Sequence, residues 1–139
     1  MTTGFTSGSF DMFHIGHLNL IRGAREQCDK LIIGLNSDEF IYSYKHKYPV
    51  IPVKDRKEIL KACRYVDDVI IKDIPDNFLV WEKYHYDKLF IGSDYRCSPQ
   101  YTELDKLLRQ VNAEVVILPY TEGISSSILR KKLEERMNG

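Results

Sequence analysis

A chain of 139 residues is long enough to bury a proper core and reads as one domain over residues 1–139. Its 20 basic and 20 acidic residues cancel, so no overall field draws it to nucleic acid or to an anionic membrane. Any site for a polyanion must then be built locally. No apolar run approaches the length of a membrane span, and the N-terminus lacks signal-peptide features. Cys28, Cys63 and Cys97 are odd in number, widely spaced and never in a CxxC pair. That pattern fits reduced thiols in a cytoplasmic protein and argues against a disulfide framework or a zinc knuckle.

In chain order, residues 4–7 are expected as a first strand and 15–27 as a helix with Leu18, Ile21 and Ala24 inward. Residues 30–35 form a continuous apolar run, which predicts a strand buried on both faces. Ser37 to Phe40 opens a short helical segment, and 44–53, with Pro49 and Pro52, reads as loop. A helix over 54–64 and a strand over 66–71 follow. Residues 77–84 are expected as helix, 88–91 as strand and 100–111 as helix, with Leu104, Leu107 and Leu108 on its apolar side. Residues 114–118 form the fifth strand and 126–136 the last helix. Such alternation implies right-handed crossovers and an α/β fold: a Rossmann-like, doubly wound, five-stranded parallel sheet with helices on both faces. Ligands of these sheets sit beyond the strand C-termini, where the winding reverses. The unusual residues fall at that edge. They follow strand one (8–17), strand four (Gly92-Ser93-Asp94-Tyr95) and strand five (119–127).

The first of these clusters is Gly8-Ser9-Phe10-Asp11-Met12-Phe13-His14-Ile15-Gly16-His17. Two histidines three residues apart share a helix face one turn from its start, where unpaired N–H groups and the macrodipole attract anions. Gly8 and Gly16 let a bulky anion approach the backbone. Asp11 beside phosphates suits Mg²⁺ or a substrate hydroxyl. Two ordinary helix-face histidines would look similar in isolation, whereas a metal pair would need a second ligand cluster that the sequence lacks. In Gly123-Ile124-Ser125-Ser126-Ser127-Ile128-Leu129-Arg130, one serine caps the final helix. Three consecutive hydroxyls with Arg130 exceed what a cap requires and read as a second phosphate cradle. Tyr44-Lys45-His46-Lys47-Tyr48 and Asp55-Arg56-Lys57 read either as a solvated basic stretch or as a loop that neutralises a triphosphate on closing. Arg56 and Arg64 fall on one expected helix and point roughly the same way. Asp94 reads equally as a contact to a ribose or base edge and as a turn cap.

By these residues the chain resembles the nucleotidyltransferase superfamily with HxGH and ISTT-type motifs, and within it the glycerol-3-phosphate cytidylyltransferases. The likeness runs from Gly8 to about Leu133 and takes in Ser37-Asp38-Glu39-Phe40, Arg64-Tyr65-Val66-Asp67 and Thr121-Glu122-Gly123-Ile124-Ser125. It implies attack by a phosphomonoester, glycerol 3-phosphate in the subgroup, on the α-phosphate of CTP. The products are a CDP-polyol for a cell-wall or capsule polymer, and pyrophosphate. The resemblance assigns catalysis to His14, His17, Lys45 and Arg130, with the histidines on the α-phosphate. It places the nucleotide against Ser9, Phe10, His14, His17, Asp94, Tyr120, Thr121, Glu122, Ile124, Ser125, Ser126 and Ser127. Ser126, Ser127 and Arg130 would hold the β and γ phosphates. The acceptor falls to Asp11, Lys45, Lys47, Arg56 and Arg64. Mg²⁺ arrives with the triphosphate and no metal is held by the protein. A homodimer is implied, for which Trp81 and Tyr84-His85-Tyr86 offer an aromatic surface or, equally, core or substrate-pocket lining. Where the subgroup carries Arg before Thr-Glu-Gly-Ile-Ser this chain has Tyr120, and Gly-Ser-Asp-Tyr replaces Gly-Asp-Asp-Trp at 92–95. Tyr120 supplies a ring and a hydroxyl but no charge, so CTP and ATP both stay open, as does the acceptor. An adenylyltransferase acting on a sugar phosphate or another phosphorylated metabolite is the nearest enzyme alternative. A nucleotide-binding regulatory module is the alternative from another class, and the intact histidine pair argues against it.

Overall fold

The computed structural model describes residues 1–93, 98–119, 121 and 123–138 of the chain. In chain order the elements are β1 (Thr3–Gly8), α1 (Ile15–Arg25), β2 (Lys30–Asn36), α2 (Asp38–Lys45), α3 (Val53–Lys61) and β3 (Asp68–Lys72). Then come α4 (Asn77–Tyr84), β4 (Lys88–Gly92), α5 (Pro99–Arg109), β5 (Glu114–Leu118) and α6 (Ser126–Asn138). The strands form one parallel sheet in the order β3-β2-β1-β4-β5. The chain winds outward from β1 to β3, returns, and lays β4 against the other side of β1. The winding therefore reverses between β1 and β4, which opens a crevice at their C-terminal ends.

Period-2 alternation divides the sheet between two cores. Leu31, Ile33 and Leu35 of β2 join Ile21 and Ala24 of α1, Leu60 of α3 and Val69 of β3 on one face. Ile32 of β2 joins Phe5, Leu89 and Ile91 with Val80 of α4 and Leu104 and Leu108 of α5 on the other. The apolar run of β2 is thus two interleaved core-facing sets, as a strand covered on both sides requires. Gly34 interrupts it because a Cβ there would lie 2.6 Å from the Phe5 ring. That ring stacks on buried Tyr86 with centroids 5.0 Å apart. Trp81 lies at the rim of the same core, stacked between Phe78 and His85. Cys28 is buried and Cys63 half-buried, both free thiols, while Cys97 lies outside the described residues. Among the described residues no helix is long and apolar enough to cross a membrane.

Several boundaries differ from the sequence reading. Ser37 caps α2 through a bond from Phe40 N–H to Ser37 Oγ at 3.1 Å, and the helix runs into the stretch expected as loop, to Lys45, where His46 in the left-handed region (φ 59°) ends it. Residues 44 and 45 are thus helical, and the prolines 49 and 52 act only beyond the turn. α3 ends at Lys61, three residues short of Arg64. β3 opens at Asp68 because Asp67 is already engaged: its carboxylate accepts from Leu31 N–H at 2.8 Å and its N–H donates to the Leu31 carbonyl.

Candidate active site

An open cleft of about 910 Å³ lies over the C-terminal edge of the sheet, between the β1–α1 turn, the end of α2 and the start of α6. Its first wall is the histidine pair. His14 is the N-cap of α1, and its Nδ1 accepts from Gly16 N–H at 3.1 Å. His17 Nδ1 accepts from His14 N–H at 3.3 Å, and the two rings stack with centroids 3.8 Å apart. The imidazoles form a capping box in which each Nδ1 satisfies an otherwise unpaired helix N–H. Gly16 is required for this: a Cβ would sit 2.9 Å from the His14 ring. Since Nδ1 accepts in both rings, the single proton of each neutral imidazole resides on Nε2. Burial keeps them neutral. It lowers the pKa of His14, and it lowers that of His17 to about 4, helped by the neighbouring His14 and opposed by Asp11. The cleft thus meets two uncharged Nε2–H donors at neutral pH.

The turn that presents them is strained. Phe10 (φ 48°) and Met12 (φ 51°) are left-handed without being glycine, at roughly 1 kcal/mol or more each. Phe10 holds its conformation by burying its ring in the core edge-on to His17, at 5.3 Å between centroids. Phe10 therefore props the His17 imidazole as well as bordering the cleft.

Asp11, 3% exposed, joins three segments. Oδ2 accepts from Val50 N–H at 2.8 Å and from Arg130 Nη2 at 2.9 Å, and Oδ1 accepts from Ile51 N–H at 2.9 Å. Its main-chain carbonyl takes the Ser126 hydroxyl. Burial raises its pKa, but the two N–H groups and the guanidinium outweigh that and hold the carboxyl below the usual range. The sequence reading had this carboxylate facing the acceptor or Mg²⁺. The structure instead directs it inward, where it ties the 46–52 loop and α6 to the histidine turn. Across the cleft, Ser125 caps α6, its Oγ accepting from Ile128 N–H at 3.1 Å. Thr121 Oγ1 accepts from Asn19 Nδ2 of α1 at 3.1 Å, and Ile124 packs toward Gly16. Ser126, half-buried Arg130 and exposed Ser127 complete this second helix start. Lys45, at the end of α2, lines the cleft as well as a water-sized niche that it shares with Lys47, Ser9 and Arg130.

Two arginines go elsewhere. Arg56 is 1% exposed, and its guanidinium donates to the carbonyls of Ile51, Ser9 and Asn36 and pairs with Asp38 at 2.6 Å. It braces the strand ends rather than facing the acceptor. Arg64 does not share its helix. It lies past α3, toward the N-terminal end of β3, exposed against the Tyr65 ring and at the opposite edge of the sheet from the cleft. Asp94, Tyr120 and Glu122 lie outside the described residues. Among the described residues, no three His, Cys, Asp or Glu side chains gather as a metal site would need. Asn36, Lys72 and Asn77, polar side chains that line the cleft yet are buried, are not among the residues expected from sequence. Their one sequence signal is position: each stands at the C-terminal end of a strand or the start of a helix on the functional edge.

A reversal point furnished with neutral imidazoles at one helix start and serine hydroxyls at another is an α/β site suited to holding phosphate groups. Residues 5–132 match the cytidylyltransferase-like family model, so the chain belongs to that family and is a nucleotidyltransferase-type enzyme. It is 36% identical over 132 residues to a glycerol-3-phosphate cytidylyltransferase of Staphylococcus aureus, covering 92% of each chain. An FAD synthase of Thermococcus kodakarensis is 37% identical over 117 residues, 81% of this chain and 76% of that one. The bifunctional protein HldE of Nitrobacter hamburgensis is 36% identical over 132 residues, where 93% of this chain spans only 26% of the relative's length. The same fold is found in a lipopolysaccharide core biosynthesis protein of Thermoplasma volcanium, with TM-score 0.72 at 20% identity over 87% of this chain and 97% of that one.

Proposed function

We propose that the chain transfers the cytidylyl group of CTP to a phosphorylated polyol, with glycerol 3-phosphate as the first candidate. The supporting likeness is the S. aureus relative, matched over nearly the whole of both chains. The observation that carries the chemistry is the pair of Nε2–H donors held by the His14–His17 capping box. A phosphomonoester is largely dianionic at neutral pH, its second pKa being about 6, so no strong general base is needed. Its oxygen attacks the α-phosphorus. One P–O bond forms as the bond to the β-phosphate oxygen breaks, and pyrophosphate leaves with both electrons of that bond. Positioning and charge stabilisation carry the rate. His14 and His17 donate to the α-phosphate oxygens as negative charge gathers on them. Lys45, Lys47 and Arg130 neutralise the phosphates gathered around them, and Ser126 and Ser127 hold the leaving pyrophosphate at the start of α6. Mg²⁺ comes as part of the triphosphate substrate. A homodimer and a product destined for a wall or capsule polymer belong to the same proposal.

The FAD synthase match favours a second reading, adenylyl transfer from ATP, because FAD contains the adenylyl group and that relative is as similar as the first. Pyrophosphate release with Mg²⁺, measured with CTP and with ATP against a panel of polyol and sugar phosphates and FMN, tests both. Turnover with CTP and glycerol 3-phosphate is the expected result. Turnover only with ATP would keep the chemistry and overturn the nucleotide assignment.

A further inference from the structure

The half of the cleft beyond β2 and β3 is polar, buried and unexplained by phosphate binding. Asn36 and Lys72 are register partners at the ends of β2 and β3, so their side chains leave the same face of the sheet. Ser7 belongs to that face too, since its partner is Gly34, two residues before Asn36. Lys72 is 6% exposed. Its Nζ lies 3.5 Å from Ser7 Oγ, 3.4 Å from the Pro75 carbonyl and 5.9 Å from the Phe40 ring centroid. Among the described residues no carboxylate pairs with it, and burial pushes its pKa down to about 8, with Asp76 pulling the other way. Asn36 (8% exposed) and Asn77 (4% exposed) each keep a buried Oδ1 that no donor among the described residues meets. Asn36 Nδ2 donates to Tyr44 Oη at 3.2 Å, and that hydroxyl also meets Ser9 Oγ at 3.2 Å, which links this corner to the phosphate-binding turn. Buried polar groups are rarely left in this state, and a ligand or an ordered water normally completes them.

Their chemistry selects the ligand. Two orphan carbonyl oxygens require donors, whereas the ammonium requires an acceptor. A carboxylate or a second phosphate would satisfy only Lys72. Hydroxyl groups on adjacent carbons satisfy all three, since each donates to an amide oxygen and accepts from the ammonium or from Ser7. An aminoalkyl chain would set its own cation against Lys72.

We propose that Lys72, Asn36 and Asn77 form a pocket that reads the hydroxylated chain of the acceptor and rejects cationic phosphoalcohols. The pocket rests on the reading of the acceptor as a phosphorylated polyol. It places the acceptor's phosphate near Lys45 and Ser9 and its carbon chain along the ends of β2 and β3.

The test is steady-state pyrophosphate release at saturating CTP and Mg²⁺ with glycerol 3-phosphate, propyl phosphate and ethanolamine phosphate. Wild type is compared with Lys72→Met and Asn77→Ala, and the melting temperature of each is recorded. Wild type should prefer glycerol 3-phosphate. Lys72→Met should raise its KM by roughly tenfold or more, the loss expected when a hydrogen bond to a charged group is removed. KM for propyl phosphate, which has no hydroxyl to read, should be the same in wild type and both variants, and the discrimination against ethanolamine phosphate should shrink in Lys72→Met. Because Lys72→Met removes an unpaired buried charge, it should melt no lower than wild type, which a structural lysine would not do. Unchanged KM for glycerol 3-phosphate in both variants, or an equal loss for propyl phosphate, would overturn the pocket alone. No turnover by wild type with any of the three, in parallel runs with CTP and with ATP, would overturn the acceptor reading and the pocket with it.

Discussion

Replacing Asp11 by Asn tests whether this carboxylate organises the site or touches substrate. The substitution preserves volume but turns one acceptor oxygen into an amide that faces donors. If the amide takes the Oδ1 place, the bond from Ile51 N–H is lost; if it takes the Oδ2 place, those from Val50 N–H and Arg130 are lost. Either way the charge that strengthens the remaining bonds disappears. With hydrogen bonds to charged groups at about 1.5–3 kcal/mol each, the loss comes to about 3 kcal/mol. For a domain of this length, an unfolding entropy of about 0.3 kcal/mol/K makes that a drop in Tm of about 10 °C at neutral pH. Because the 46–52 loop and Arg130 are both placed through Asp11, kcat/KM should fall as well. The pH dependence supplies a sign. The folded carboxyl titrates below its ordinary value of 3.8, so its contribution is complete above that pH and is lost as pH falls through the folded pKa. The Tm gap between wild type and Asp11→Asn should therefore narrow below about pH 4. Thermal melts by circular dichroism at pH 3.5 and 7, with pyrophosphate-release kinetics at pH 7, measure all of this. A variant that melts within about 2 °C of wild type yet loses activity a hundredfold would refute the organising role and return Asp11 to the substrate.

Other outcomes follow from the same geometry. His17 should titrate near pH 4 by NMR, and the fold should lose stability as pH falls from 6.5 toward 4, since the unfolded chain takes up that proton first. The shift corresponds to about 3 kcal/mol at the acid end, and an inflection near 6.5 would show that the imidazole pair is not held neutral. His14→Ala and His17→Ala should each cut kcat by roughly 10²–10³, the range for removing one preorganised donor, and a smaller effect on kcat than on KM would deny them the α-phosphate. Arg56→Met should cost about 3–5 kcal/mol in a denaturant melt, because it strands Asp38 and the carbonyls of Ser9, Asn36 and Ile51. Arg64→Ala should leave kcat/KM within about twofold, as for exposed surface positions; a tenfold rise in acceptor KM would bring Arg64 to the site after all.

What was legible in the sequence follows the separation of the contacting residues. The capping box joins His14 to residues two and three positions away, so spacing alone places both imidazoles at a helix start. The core-facing run of β2 and the reversal of winding were legible for a similar reason, each being a pattern within one short segment or a rule of connection. Arg56 and Arg64 show the opposite. They stand in comparable local surroundings, and what separates them is that three carbonyls close around one guanidinium, two of them 47 and 20 residues away. Asp11 meets Arg130 across 119 residues, and Lys72 meets Ser7 across 65. No period or motif encodes such meetings; only the sheet order does.

This division has a functional consequence. The half of the cleft proposed to handle phosphates rests on short-range devices at two helix starts, which a sequence can retain as motifs while the rest of the chain diverges. The half bounded by Asn36, Lys72 and Asn77 is assembled from the ends of β2 and β3 and the start of α4, so a single substitution at any of those ends alters its chemistry without disturbing the imidazoles. Relatives of near-equal similarity bear names as different as glycerol-3-phosphate cytidylyltransferase and FAD synthase, which is the divergence such a construction permits. Acceptor choice should therefore respond to substitutions at residues 36, 72 and 77, and the chemical step to substitutions at 14 and 17. A chain in which exchanges at the strand ends altered kcat with every acceptor alike would show that the two halves are not separable.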